Sequence, residues 1–187
     1  MPVRKTVRRA VAALSGSLMW IALALAPALA DIAPFVGEYA GEAQVTDPDG
    51  ETFERDMSVQ ISETRDGFQV NWTSRTFRAD GRVKNASYSI NFVPSDRPGV
   101  YAAAMKRNVF GHEVQLDPMK GEPYVWARID GDTLTVYSLY VDADGGYELQ
   151  QFDRSLAEGG LNLAFKSILD GDIQRTVETF LESQTPR

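Results

Sequence analysis

The sequence predicts an all-β fold, a single antiparallel up-and-down meander barrel of about 8–10 strands behind a cleaved N-terminal signal peptide. Three observations carry that expectation. The first 30 residues follow the charge and hydropathy order of an export signal. Beyond them, turns built on Asp-Gly recur at short intervals. The segments between those turns are rich in Val, Thr, Tyr, Phe and Trp and alternate with a period of two.

In the leader, Arg4, Lys5, Arg8 and Arg9 precede the apolar run Leu18–Leu25, Pro27 breaks the helix, and Ala28-Leu29-Ala30 offers the small residues a signal peptidase accepts before Asp31. The run is shorter than the ~20 apolar residues that span a bilayer, which favours cleavage over anchoring. The expected division is a signal peptide over residues 1–30 and one domain over 31–187. The expected location is the periplasm or the extracellular space, with no membrane span once the leader is gone.

The turn signals include Asp47-Pro48-Asp49-Gly50, Arg65-Asp66-Gly67, Ala79-Asp80-Gly81, Asp130-Gly131-Asp132, Asp142–Gly146, Glu158-Gly159-Gly160 and Asp170-Gly171-Asp172. Glycine lacks the Cβ that opposes left-handed backbone, which suits these residues to tight hairpins. Between them, strands are expected near residues 37–46, 52–63, 67–77, 83–93, 100–106, 123–129, 133–141, 147–156, 161–169 and 173–181. The last also fits a helical face through Ile173, Val177, Phe180 and Leu181, and the strand is preferred. Short links make successive strands neighbours, and a long meander protects its two edges by closing into a barrel. Residues 107–121 lack clear alternation and read as a rim loop or lid. Charge on both faces near strand ends, as in Glu51–Asp56, and a Pro186-Arg187 terminus argue against an outer-membrane barrel.

Composition removes several classes of function. The leader takes four of the 19 basic residues and none of the 26 acidic ones, leaving 15 against 26 and a formal charge of −11. Such a surface repels nucleic acid and anionic headgroups, so neither is an expected partner. The chain has no cysteine, which excludes disulfides, thiol catalysis and thiolate metal sites. A single histidine, His112, rules out a His-rich metal centre and reads as a solvent-exposed loop residue rather than a general base. The D-x-D-G fragments at Asp47 and Asp142 suggest calcium loops only in their opening residues, and hairpin turns explain both. No metal, cofactor or catalytic residue is expected.

The stretch Phe35-Val36-Gly37-Glu38-Tyr39-Ala40-Gly41 resembles the Gly-x-Trp opening of the calycin superfamily, the lipocalins, fatty-acid-binding proteins and avidins, with Tyr39 where that pattern has tryptophan. The resemblance implies a barrel whose mouth admits a small, mostly apolar ligand. It also implies a late-strand arginine packed across the opening aromatic, a place Arg154 or Arg175 would take.

The aromatic residues Trp72, Tyr88, Tyr101, Trp126 and Tyr137 are the candidate cavity lining, with Arg154 as an anchor for an acidic group. Alternation near Arg128, Arg154 and Arg175 leaves their faces open. The primary functional expectation is therefore an exported barrel that binds a small hydrophobic or amphiphilic ligand. Two alternatives stand beside it: a solidly packed barrel serving as an interaction or structural module, and a barrel-type isomerase or cyclase acting on a lipid-like substrate.

Overall fold

The computed structural model describes residues 31–46, 50–107, 113–114 and 116–184. The expected signal peptide over residues 1–30, Asp47-Pro48-Asp49 and His112 lie outside the described residues. Among the described residues, twelve strands follow a short 3-10 turn at Ala33–Phe35: β1 (Gly37–Thr46), β2 (Thr52–Thr64), β3 (Gly67–Phe77), β4 (Val83–Pro94), β5 (Val100–Ala103), β6 (Lys106–Arg107), β7 (Glu113–Val114), β8 (Tyr124–Asp130), β9 (Thr133–Val141), β10 (Tyr147–Ala157), β11 (Gly160–Leu169) and β12 (Asp172–Ser183). All except β6 and β7, which pair with each other, form one closed barrel in which every neighbour in sequence is a neighbour in space. No helix among the described residues is long and apolar enough to cross a membrane.

The expected meander is present, and its boundaries follow the turn residues. Between β11 and β12 the two-residue link Asp170-Gly171 has φ of 50° and 95°. Two consecutive positive φ values match the right-handed twist of a hairpin, and Asp tolerates that region better than most non-glycine residues. This turn commits residues 172–183 to a strand, resolving the helix-or-strand choice for 173–181. The expected strand over 100–106 stops at Ala103; the Ala104 amide still donates to the Asn91 carbonyl oxygen at 2.7 Å, after which the chain leaves the barrel and Lys106 pairs in β6 with β7. Val100–Ala102 pairs with β8 on one side, and Ala103 meets Phe92 of β4 on the other.

Closure is made by β12 returning to β1, where Tyr39 faces Ser183 and Ala40 faces Glu182. The Thr179 hydroxyl adds a 2.6 Å bond to the Glu42 carbonyl oxygen. The backbones here run so close that a Cβ at Gly41 would overlap the Phe180 carbonyl oxygen, and one at Gly160 the Leu181 carbonyl oxygen.

The alternating faces sort the interior. One end is packed solid by Phe35, Tyr39, Ile61, Phe68, Phe92, Ile129, Leu134, Leu161 and Leu181. The Ala33–Phe35 turn plugs that end, and the Tyr39 hydroxyl donates to the Phe35 carbonyl at 3.0 Å. Towards the other end, small apolar residues Ala43, Val45 and Val177 form a second, thinner cluster. The space between is not filled by side chains.

Because Gly160 has no room for a methyl group, Gly160→Ala should lower unfolding stability by about 1–3 kcal/mol, the cost of forced overpacking. Urea denaturation monitored by circular dichroism checks this; an unchanged midpoint would mean the β11–β12 ladder yields easily.

Candidate functional site

Period-two alternation places Arg154 of β10 on the inner face with Phe152 and Leu156, between Leu134 of β9 and Leu163 of β11. It is 2 % exposed and is the largest fully buried side chain. Its guanidinium carbon lies 5.8 Å from the Trp72 ring centre and 5.5 Å from that of Phe152. Those π faces partly replace the lost hydration. Yet Nε and Nη1 of Arg154 are buried with no hydrogen-bond partner among the described residues. Desolvation pulls its pKa down to about 10, with the neighbouring Asp153 carboxylate opposing the shift. The group is still charged at neutral pH.

Arg154 forms part of the wall of a cavity of about 260 Å³ within the open half of the barrel. Met57, Trp72, Phe152, Leu163 and Phe165 supply apolar surface there. Trp72 stacks on Tyr88 with centres 5.1 Å apart, and Phe152 packs against Phe165 at 4.8 Å. Two further arginines face in. Arg55 of β2 donates from Nε to the Thr76 hydroxyl at 2.9 Å and lies over Phe53. Arg175 of β12, paired in register with Ser167, has a buried Nε without a partner among the described residues. Burial and then the charge of Arg175 both lower the Arg55 pKa, so the two guanidinium groups share one field. Lys84 stands at the exposed edge of the same cavity.

Of the residues read from sequence, the structure brings Trp72, Tyr88 and Arg154 together at this cavity. Tyr88 is half open to solvent, at 54 %. Tyr101 sits instead in the packed end, edge-on to Phe68 at 4.9 Å. Trp126 and Tyr137 stack on each other at 4.8 Å on β8 and β9. Their strand neighbours Val125, Ala127 and Val136 point into the core, so these two rings lie on the outer wall. Of the two late-strand arginines, Arg154 lies over Trp72 and Phe152, while Arg175 lines the cavity. Arg128 is exposed and pairs with Asp130.

The reading from sequence omitted Arg55, Lys84, Phe152 and Phe165. The signal for Arg55 was its place in the odd-numbered face Phe53-Arg55-Met57-Val59-Ile61, which is otherwise wholly apolar. The second D-x-D-G fragment is a hairpin turn: the Asp142 carboxylate accepts from the amides of Asp144 and Gly146 at 2.9 and 2.8 Å.

The chain matches no protein-family model, and no curated protein matches it in sequence.

A buried charge without a partner destabilises the fold that contains it, and an apolar side chain of similar length relieves that cost. Arg154→Met should therefore stabilise the ligand-free protein by about 1–4 kcal/mol at neutral pH. Because the folded state holds the Arg154 proton less tightly than the unfolded chain does, the cost is present in full below about pH 10 and fades as pH rises through that value. Thermal unfolding of both proteins at pH 7 measures the difference, and a less stable Met variant would show that the charge is compensated inside the barrel.

Proposed function

We propose that this protein is an exported, calycin-like barrel that holds a small amphiphilic molecule, acidic group inward, in the open half of its interior. The observation that carries the reading is Arg154: a fully buried guanidinium with two N–H-bearing nitrogens that have no partner among the described residues, set against the aromatic wall of a cavity. An acid placed there accepts charge-assisted hydrogen bonds from a donor whose geometry is already fixed. Met57, Trp72, Phe152 and Phe165 then cover the apolar part of the same molecule. The cavity lies near the lower end of the range for small-molecule sites, roughly 300 Å³ upward, which suits a slender ligand. Its action is sequestration, with apolar burial giving affinity and the arginine giving orientation.

The calycin likeness is supported by the closed antiparallel meander and by the Gly37-x-Tyr39 opening beneath a plugged end. Export is supported by the order of charge, apolar run and Ala28-Leu29-Ala30 in the sequence. A role in binding another protein is favoured by one feature, the stacked Trp126 and Tyr137 on the outer wall with Tyr124 beside them.

Two outcomes are expected. Protein recovered from the periplasm of a bacterium expressing the full chain should begin at Asp31; a retained leader in the membrane fraction would overturn export. In calorimetric titration, Arg154→Ala should weaken binding of dodecanoate at least about tenfold, worth about 1.4 kcal/mol, and change that of its methyl ester by less than about threefold. Equal losses for acid and ester would remove Arg154 as the anchor.

A further inference from the structure

The cavity contains more positive charge than one carboxylic acid can use. Arg55, Arg154, Arg175 and Lys84 all contribute to its wall, and no aspartate or glutamate does. None of the three arginines forms an ion pair with a carboxylate among the described residues. The one acidic side chain on the inner face of β10, Glu148, is hydrogen-bonded beside the cavity: its Oε1 accepts from Gln150, a lining residue, at 2.9 Å and from the hydroxyl of Ser167, the register partner of Arg175, at 2.7 Å. The outward Asp56 pairs with Arg75 instead.

From this imbalance we infer that the ligand's head group is a dianionic oxyanion, a phosphate monoester on a single apolar tail, held jointly by Arg154, Arg175 and Arg55. The inference rests on the amphiphile reading above and names the chemistry of its head. The donors that await an acceptor come from two strands, β10 and β12, through Arg154 Nε and Nη1 and Arg175 Nε. A carboxylate has two oxygens in one plane and saturates one guanidinium fork. A phosphate monoester offers three terminal oxygens in a tetrahedral spread and close to two charges at neutral pH. Three arginines lining one cavity therefore match it in charge and in the number of donors they carry. The mutual repulsion of Arg55 and Arg175 points the same way, since an anion between them relieves it. The rings of Trp72 and Phe152 beneath Arg154 mark where head gives way to tail.

The test uses protein produced from the full chain and two probes that differ only in the head, dodecyl phosphate and dodecanoate. Titrations are run near pH 8, where the phosphate carries two charges because its second pKa is about 6. Dodecyl phosphate should bind at least about tenfold more tightly. Arg175→Gln should remove most of that preference, weakening dodecyl phosphate by a larger factor than dodecanoate. Arg175→Lys, which keeps the charge and loses the fork, should restore part of it. Affinities within about threefold of each other in the unmodified protein would overturn the dianion and leave the amphiphile reading standing. Failure of dodecyl phosphate, dodecanoate and its methyl ester alike would overturn the amphiphile reading itself. The comparison in the unmodified protein decides the matter even if a variant does not fold.

Discussion

The structure depends on closing a sheet whose first and last strands are far apart in sequence. β1 and β12 must meet, and the Thr179–Glu42 bond there spans 137 residues. Only two residue pairs of the ladder are in register across this seam, Tyr39 with Ser183 and Ala40 with Glu182. So short a ladder holds because Gly41 lets the Phe180 backbone approach without a side chain between them. Loop-closure entropy grows slowly with length, but contacts this distant in sequence make such barrels slow to fold. The eight hairpins and short links that precede the seam reduce the problem to one late step. Once it closes, the edge left unpaired among the described residues is that of β4 over residues 83–90, which the four-residue β5 does not reach.

Closure also decides what the interior can contain. A ten-stranded barrel is wider than the side chains of one layer can fill at every level. At the plugged end, Phe35, Phe68 and Phe92 from three elements meet in the middle and pack it solid. At the other end the inward residues include the small Ala43, Ser74 and Ala86, whose volumes do not reach across. The cavity follows from that shortfall. Long side chains can enter it only if they tolerate burial along the stem, and arginine does so, resting its methylenes and its planar head on aromatic rings. The same geometry makes the site polar at its heart and apolar at its walls, the arrangement expected of an orienting site rather than of a packed core.

Much of the fold was legible because hairpin turns and period-two alternation are local signals. Nine of the ten barrel strands expected from sequence lie within a few residues of their observed ends, and in the tenth, 100–106, the chain leaves the barrel after Ala103 and Lys106 joins the separate β6–β7 pair. The site was only half legible. Trp72 lines the cavity, on the face it shares with Phe68 and Val70. Trp126 has equally apolar neighbours, yet its own strand buries Val125, Ala127 and Ile129, which turns the indole outward. A single aromatic cannot announce its face; the small residues flanking it do. Arg55 was passed over for the converse reason. Glu54 and Asp56 on either side made the segment look uniformly solvated, whereas alternation put the two acids outside and the arginine within.

The same alternation explains how an acidic protein keeps a cationic interior. Asp153 and Arg154 are consecutive, so the sheet itself stands between carboxylate and guanidinium. Asp153 is fixed on the outer face by the Thr135 hydroxyl and by Gln151, each at 2.7 Å. From there it favours the charged form of Arg154 through the low-dielectric wall without touching its N–H groups. An acid within reach of the Arg154 guanidinium on the inner face would neutralise the charge and consume the donors together. Separating the two by one residue retains the field and leaves the hydrogen bonds unspent. On that physical ground a chain carrying 26 acidic residues can hold an arginine in its interior and still offer that arginine to an anion.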